Sequence, residues 1–181
     1  MKKILTAILL ILCMSVTSTA VFAEEGEEEL GEAFTSVWVD ADSFDLRTPC
    51  GVTEQELEAV LKHDLKGMAK HYLDAEEKYG VNAVFLASVS ALESGWGRYC
   101  FRENNIFGYG RKSFDSYAEC IDFVASKISR NYLSEDGRYY SGTTIDAVNC
   151  YYNGREAWAE TVKSIFSRML EKVDISRKEN I

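Results

Sequence analysis

The sequence predicts an all-α fold, or an α-rich α+β fold at most, for residues 51–174. Three observations predict it: apolar residues recur at helical spacing over most of this range, capping signatures precede several of these runs, and no run has a clear strand pattern. The length suits one well-buried domain and is short for two. We therefore expect a single helical domain.

The first predicted helix begins at Thr53, which forms a capping box with Glu56. Apolar residues follow at helical spacing as far as Tyr72, and Gly67 lies inside this run. The glycine leaves open whether the run is one helix or two. Gly80 then provides a C-terminal stop signal.

The next predicted helix is strongly apolar, and Asn82 caps its start. It ends at residues 94–97 (SGWG). Residues 98–115 combine glycines with polar and aromatic residues, which predicts an irregular segment or a small hairpin. Ser116 and Glu119 form a second capping box, so a further helix begins there.

Two more helices are predicted near the C-terminus. Thr144 caps a short helix that runs through Tyr151, and the Asn-Gly pair at 153–154 turns the chain. The last helix carries an apolar face from Trp158 onward. Residues 175–181 are polar, and we expect a frayed tail there.

Residues 1–23 have the pattern of a secretory signal peptide. Lys2 and Lys3 precede an apolar run at 4–13, and Ala23 closes a stretch of small residues. A membrane anchor is the alternative, but it needs about 20 apolar residues, and polar residues interrupt this run early. We therefore expect cleavage after Ala23, no membrane span in the mature chain, and a secreted, extracellular protein of the cell envelope.

The chain is acidic, with 20 basic and 29 acidic residues and a net charge of −9. Loss of the two lysines of the signal peptide leaves 18 basic residues against 29 acidic ones, a charge of −11. This balance argues against nucleic acid as a partner. Much of the excess lies in the run 24–32, and we expect residues 24–50 to form an acidic, largely disordered leader.

Four cysteines remain after the predicted cleavage: Cys50, Cys100, Cys120 and Cys150. An even number in an exported protein allows two disulfides in three connectivities, while four reduced, buried thiols are the alternative. We favour Cys50 with Cys100 and Cys120 with Cys150, because the second pair would tie two neighbouring helices together. No CxxC pair is present and the two histidines lack an acidic consensus, so we expect neither a metal site nor a cofactor.

The position of Glu93 in its helix predicts a catalytic role. It lies on the apolar stripe of its helix, four residues after Val89, and in the last turn. Burial and the helix dipole both raise the pKa of a carboxyl group there. A carboxylic acid that stays protonated near neutral pH can serve as general acid to a glycosidic oxygen. The alternative is a glutamate that points into solvent, but Gly95 and Gly97 favour a site because they let the backbone turn sharply around Trp96.

Four segments around this glutamate carry a resemblance to a known family. Residues 79–82 (YGVN), 85–87 (FLA), 91–97 (ALESGWG) and 104–108 (NNIFG) resemble the bacterial N-acetylglucosaminidase domain of autolysins and flagellar peptidoglycan hydrolases. This domain is also described as mannosyl-glycoprotein endo-β-N-acetylglucosaminidase-like, in glycoside hydrolase family 73. The combination of ESGWG with NNxFG carries the specificity. The resemblance extends over about residues 52–173.

The resemblance implies a lysozyme-like, two-lobed fold with a substrate groove, and peptidoglycan as substrate. Glu93 matches the catalytic acid of the family, and Tyr152 is the best match to its active-site tyrosine, counted back from Trp158. Tyr151 is the near rival for that position. The candidate substrate-binding residues are Trp96, Asn104, Asn105, Phe107, Gly108, Tyr109, Asp115 and Tyr151.

The chain departs from the family pattern in its second lobe. Only five residues separate Gly108 from Phe114, so the hairpin lobe, which carries a second acidic residue in many members, is shortened. Asp115 and Glu119 are the acids close by, and Glu119 already has a capping role. A 2-acetamido sugar can instead supply its own nucleophile while Glu93 protonates the leaving oxygen.

The predicted function is that of an endo-β-N-acetylglucosaminidase, which cleaves peptidoglycan strands after N-acetylglucosamine and acts as a monomer. A muramidase or a lytic transglycosylase on the same fold is the alternative among enzymes. A glycan-binding protein without turnover is the alternative outside them.

Overall fold

The structure is a computed structural model, and it describes residues 40–180. This part of the chain is helical and contains no β-strand, as predicted. The helices are α1 (Glu54–Val60), α2 (Ala69–Tyr79), α3 (Ala83–Ser94), α4 (Tyr117–Ile128), α5 (Ile145–Tyr152) and α6 (Glu156–Glu179). A 3-10 turn (His63–Leu65) follows α1, and a π-helical turn (Ser129–Leu133) continues α4.

The run after Thr53, for which one helix or two was left open, forms two helices. The capping box is present: the Glu56 N–H donates to Thr53 Oγ1 at 3.3 Å, and the Thr53 N–H donates to Glu56 Oε2 at 2.8 Å. Leu61 is extended and ends α1, and Gly67 adopts a φ of +83° before α2 begins. The glycine therefore lies at the break between the helices.

Helix α3 is the central helix of the domain. Asn82 caps it as predicted, because its side chain accepts the Phe85 N–H at 3.0 Å. Ten of its twelve residues are buried, and it packs on α6 and α2. Gly95 ends it in the left-handed conformation, with a φ of +56°. The core thus surrounds the helix that ends at Glu93 and Ser94.

Helix α6 is longer than predicted. Residues 175–179, expected to fray as part of a polar tail, are helical. The Arg177 guanidinium explains this difference, because it bonds both Glu56 oxygens at 2.6 and 2.8 Å and donates to the Gly51 carbonyl at 2.9 Å. The ion pair of Arg177 with Glu56 therefore holds the last turns of α6 against α1.

Residues 40–50, assigned above to the disordered leader, are packed against the domain. Leu46 is fully buried, its N–H donates to the Thr143 carbonyl, and its carbonyl accepts from Asn82, each at 2.9 Å. Phe44 packs on Phe166 with ring centroids 5.3 Å apart. The ordered part thus includes the end of the predicted leader. The predicted signal peptide and residues 24–39 lie outside the described residues.

The predicted disulfides are not formed, and all four described cysteines are free thiols. Cys50 lies against the Glu76 carboxylate at 3.4 Å, whereas Cys100 lies 4.0 Å from the Tyr117 hydroxyl. Cys120 is buried in the core, and Cys150 is exposed on α5. The structure therefore has the four reduced thiols of the alternative, although only Cys120 is buried, and the proposed pairing is absent.

None of the helices between residues 40 and 180 has the length and hydropathy that a membrane crossing requires.

Candidate active site

Glu93 lies in the last turn of α3, and its carboxyl group is partly buried. Its Oε1 accepts a hydrogen bond from the Trp158 indole nitrogen at 2.7 Å. Burial raises the pKa of Glu93, and the indole bond lowers it by less. The net shift is upward, as the sequence predicted from burial.

Gly108 brings backbone close to the other oxygen of this carboxyl group. A Cβ at this position would lie 3.2 Å from Glu93 Oε2, which is tight contact. Its φ of +61° also belongs to the left-handed region, which L side chains rarely adopt. Glycine therefore leaves Oε2 open between the loop and α3, while Oε1 is held by the indole.

Two asparagines shape the loop that carries Gly108. The buried Asn105 accepts the Tyr109 N–H at 2.9 Å, and its amide donates to the carbonyls of Tyr109 and Lys112 at 3.1 and 2.9 Å. Asn104 has a φ of +53° and donates to the Phe114 carbonyl at 2.9 Å. Both side chains, predicted to bind substrate, are engaged within the loop. The hydrogen bonds of the two asparagines stabilise this loop, whereas a hairpin would be stabilised by a β-ladder.

Phe107 also has a role different from the predicted one. Its ring is 1% exposed and belongs to the core, so it does not face a groove. Its backbone carbonyl accepts the Tyr152 hydroxyl at 3.2 Å. The motif residue thus positions the tyrosine through the main chain.

Tyr152 comes from the last turn of α5 and reaches the same region. Its ring lies 5.1 Å from that of Trp158. Burial, and then the nearby Glu93 carboxylate, raise the pKa of Tyr152 well above its usual value, so its phenol stays neutral. Tyr151 points elsewhere: it is 59% exposed, and its ring packs on Tyr139 at 5.8 Å. Of the two rivals, the structure brings Tyr152 to the glutamate.

The remaining predicted residues are distributed around the site. The Tyr109 ring meets Phe123 edge-on at 5.6 Å, and Tyr109 contributes electrostatically to the raised pKa of Tyr152. Trp96 has a φ of +66°, and the Lys62 ammonium lies 4.9 Å from its ring centroid.

Asp115 is exposed, and the acid next to it serves the start of a helix. The Asp115 N–H donates to the Glu119 carboxylate at 2.7 Å, and the Glu119 N–H donates to Ser116 Oγ at 3.1 Å. The capping box is therefore shifted by one residue, because the glutamate accepts from Asp115 rather than from Ser116. The cap of α4 therefore uses the Glu119 carboxylate, whereas Asp115 contributes only its backbone N–H.

Two aromatic residues of the site were not predicted. Trp158 was used only to count back to Tyr152, and its indole bond to Glu93 joins residues 65 positions apart. Tyr132 lies in the π-helical turn, with its ring 5.9 Å from that of Tyr152. The sequence signal available for Trp158 was its place in the first turn of the helix that follows the predicted active-site tyrosine. No sequence signal indicated Tyr132, because the π-helical turn was not predicted.

Within residues 40–180, no group of three or more histidine, cysteine, aspartate or glutamate side chains is arranged to hold a metal ion.

The class of fold is shared with solved structures of autolysin E from S. aureus. One of them, a catalytic glutamate-to-alanine mutant in complex with the disaccharide NAG-NAM, matches with a TM-score of 0.61 and 20% identity, over 73% of this chain and 72% of that one. A second, in complex with the muropeptide NAM-L-Ala-D-iGlu, matches with a TM-score of 0.60 and 21% identity over the same shares. At this identity, the likeness establishes the lysozyme-like fold alone.

The family follows from the sequence. Residues 69–171 match the Glucosaminidase family model, described as mannosyl-glycoprotein endo-beta-N-acetylglucosaminidase. Two Streptococcus pneumoniae proteins named "Putative endo-beta-N-acetylglucosaminidase" are 31% identical over 120 residues, 60% of this chain. The chain belongs to the glucosaminidase family. It spans 18% and 17% of the lengths of these two relatives.

Proposed function

We propose that this protein is a peptidoglycan hydrolase with endo-β-N-acetylglucosaminidase activity, and that Glu93 is its general acid. The observation that carries the proposal is the environment of one carboxyl group. It is partly buried, its pKa is raised, and one oxygen is held by the Trp158 indole. A carboxylic acid with these properties can protonate a glycosidic oxygen near neutral pH.

The two oxygens of Glu93 suggest how the proton is held. Oε1 accepts the indole N–H, so the proton resides on Oε2, beside Gly108. A glycosidic oxygen placed against this loop would receive the proton from Oε2. The C1–O bond then breaks, and the leaving hydroxyl keeps the proton.

The nucleophile in this proposal comes from the substrate. The sequence predicts a shortened second lobe, the Glu119 carboxylate accepts the Asp115 N–H at the start of α4, and Asp115 is exposed. The acetamide oxygen of the N-acetylglucosamine unit can attack C1 as the leaving oxygen departs, which forms an oxazolinium ring. Water then attacks C1 and opens this ring, and the Glu93 carboxylate takes the proton of the water, which restores the acid. The neutral Tyr152 hydroxyl would orient the acetamide or stabilise the developing positive charge.

The product distinguishes the proposed enzyme from its rivals on the same fold. Mass spectrometry of digested peptidoglycan should give a reducing end on N-acetylglucosamine. A reducing muramic acid would identify a muramidase instead, and an anhydromuramic end would identify a lytic transglycosylase. A protein that binds peptidoglycan without releasing fragments would be a glycan-binding module.

Glu93→Gln tests the acid directly. The amide keeps the shape and can still accept the indole hydrogen bond, but it cannot donate a proton, so turnover should fall about 10² to 10⁴-fold. Purified wild type and variant are compared on a peptidoglycan zymogram and by release of reducing ends. Glu77→Gln, a change at an exposed position on α2, is the matched control and should stay within a few-fold of wild type. If Glu93→Gln kept more than about a tenth of wild-type turnover, the acid would be misassigned.

The location of the protein in the cell is part of the same proposal. We infer that the chain is exported by its predicted signal peptide and meets peptidoglycan in the cell envelope as a monomer. N-terminal sequencing of the protein from a culture should begin at Glu24. Light scattering of the purified protein should give the mass of one chain.

A further inference from the structure

Five aromatic rings form a continuous cluster that begins at Glu93 and ends at the surface. Ring centroids are 5.1 Å apart from Trp158 to Tyr152, 5.9 Å to Tyr132, 5.2 Å to Tyr139 and 5.8 Å to Tyr151. Adjacent residues on a helix diverge by about 100°. The rings of Tyr151 and Tyr152 therefore leave α5 in different directions, and the other two tyrosines fill the space between them.

The outer half of the cluster is built by a tight turn. Gly137 packs directly on the π-helical turn, where a Cβ would lie 2.6 Å from the Asn131 carbonyl oxygen. The Tyr139 N–H donates to that same carbonyl at 2.8 Å. The turn thus places the Tyr139 ring against Tyr132 and leaves no space for a larger residue at 137.

The outer rings are accessible and carry a cation. Tyr151 is 59% exposed, whereas Tyr132 is 7% exposed and belongs to the core. Arg138 is exposed, and its guanidinium carbon lies 5.4 Å from the Tyr139 ring centroid. Packing accounts for the inner rings. It does not account for the Tyr151 ring, which stays largely exposed while it packs on Tyr139, the ring that Arg138 covers.

We propose that Tyr151, Tyr139 and Arg138 form an outer saccharide subsite, which binds a peptidoglycan sugar that is not at the scissile bond. The C–H face of a pyranose ring packs on an aromatic ring, whose face is electron-rich. The lactyl or peptide carboxylate of a muramic acid unit gives the Arg138 guanidinium an anionic partner. The packed rings of Tyr132 and Tyr152 connect this subsite to the Glu93 site.

This inference rests on the proposed function, and it predicts which variants weaken binding. Tyr151→Ala removes the exposed ring and should weaken binding about 2- to 10-fold, the worth of one aromatic contact. Tyr151→Phe keeps the ring and should stay within about twofold of the parent on the same scale. Arg138→Gln should weaken only the binding of glycans that carry carboxylates.

The experiment measures binding in the Glu93→Gln background, where turnover is suppressed. Two probes are used: purified peptidoglycan in a sedimentation assay, and an N-acetylglucosamine hexamer, which has no carboxylate, by calorimetry. Tyr151→Ala should weaken both, and Arg138→Gln should weaken only the first. Thermal melts of each variant exclude misfolding, and the exposed position of Tyr151 makes its substitution compatible with the fold.

Kinetics of variants that keep the wild-type Glu93 separate this inference from the proposed function. Tyr151→Ala should raise KM on peptidoglycan by more than it changes kcat, because the outer sugar is bound equally before and during bond cleavage. Equal KM and equal binding for Tyr151→Ala and the parent would overturn the subsite while leaving the hydrolase intact. Failure of the hydrolase assignment would appear instead as wild-type protein that binds peptidoglycan without releasing fragments.

Discussion

At the scale of single residues, the two oxygens of Glu93 differ in their surroundings. One is held by an indole N–H, and the other lies against a glycine backbone. In the proposed mechanism, this asymmetry places the proton on the oxygen beside the glycine, and the substrate oxygen approaches from that side. Buried carboxyls with a raised pKa cluster at functional sites, and here the cause is desolvation.

Gly108→Ala should damage the site beyond its cost in stability. The added methyl would lie 3.2 Å from Glu93 Oε2, so the loop or the carboxyl group must shift. We expect at least a tenfold loss of kcat on peptidoglycan, because small displacements of a catalytic group are costly.

Gly110→Ala is the matched control for this substitution. Gly110 has nearly the same φ, +59° against +61°, but nothing lies within 4 Å of a Cβ there. Both variants should lose about 1 kcal/mol of unfolding free energy from backbone strain. Equal activity in the two variants, at equal melting temperature, would mean that the contact with Glu93 is not required.

Tyr152→Phe should lower kcat on peptidoglycan more than it raises KM. A hydroxyl that stabilises developing charge contributes more in the transition state than in the ground state. The same change at Tyr151 should be nearly silent, because its hydroxyl lies at an exposed position. Thermal melts of both variants control for the lost bond to the Phe107 carbonyl. A kcat defect confined to Tyr151→Phe would exchange the roles of the two residues.

At the scale of elements, local signals predicted the starts of helices better than their ends. Thr53, Asn82 and Thr144 cap their helices as the sequence predicted. The extension of α6 depends on Arg177, whose partner Glu56 is 121 residues away, so no local pattern contains it. The packing of residues 40–50 depends on Leu46 in the same way. Contacts with residues distant in the sequence therefore determine whether a polar segment is ordered, and composition alone does not show this.

Arg177→Ala should loosen the end of α6 and its contact with α1. The guanidinium holds the pKa of Glu56 at about 2, so this ion pair stabilises the fold above the ordinary glutamate pKa and loses its effect as pH falls toward 2. The partly exposed pair should contribute about 0.5 to 1 kcal/mol at pH 7.

Urea denaturation of wild type and Arg177→Ala at pH 7, 4 and 2.5 measures this contribution. The difference in unfolding free energy should shrink as the pH falls. Lys70→Ala is the matched control, since its exposed i,i+4 pair with Asp74 should contribute less than Arg177 does. A difference that stays constant with pH would assign the effect of Arg177 to packing rather than to charge.

At the scale of the whole molecule, the all-α class and the family were predictable, and the construction of the second lobe was not. The shortened segment after Gly108 showed that a hairpin lacked room. It did not show that Asn105 would hold the loop through three backbone groups. The motif residues were found by resemblance, but resemblance does not separate residues that face substrate from residues that shape the loop. Phe107, whose ring lies in the core, belongs to the residues that shape the loop.

The free cysteines should differ in reactivity according to their burial. Cys150 is exposed, whereas burial raises the pKa of the Cys50 and Cys120 thiols to about 12. The thiolate is the reactive form, so iodoacetamide should label Cys150 first and Cys120 last. Peptide mapping without reduction, before and after denaturation, measures the order. A peptide that joins Cys120 to Cys150 would show a disulfide in the exported protein and contradict the free thiols.

The indole that holds Glu93 belongs to α6, the last helix of the domain. A ribosome makes the chain from its N-terminus, so α3 emerges well before α6 does. Until α6 docks, the Glu93 carboxyl lacks its indole partner. The surroundings of the proposed acid are therefore complete only when the last helix of the domain is in place.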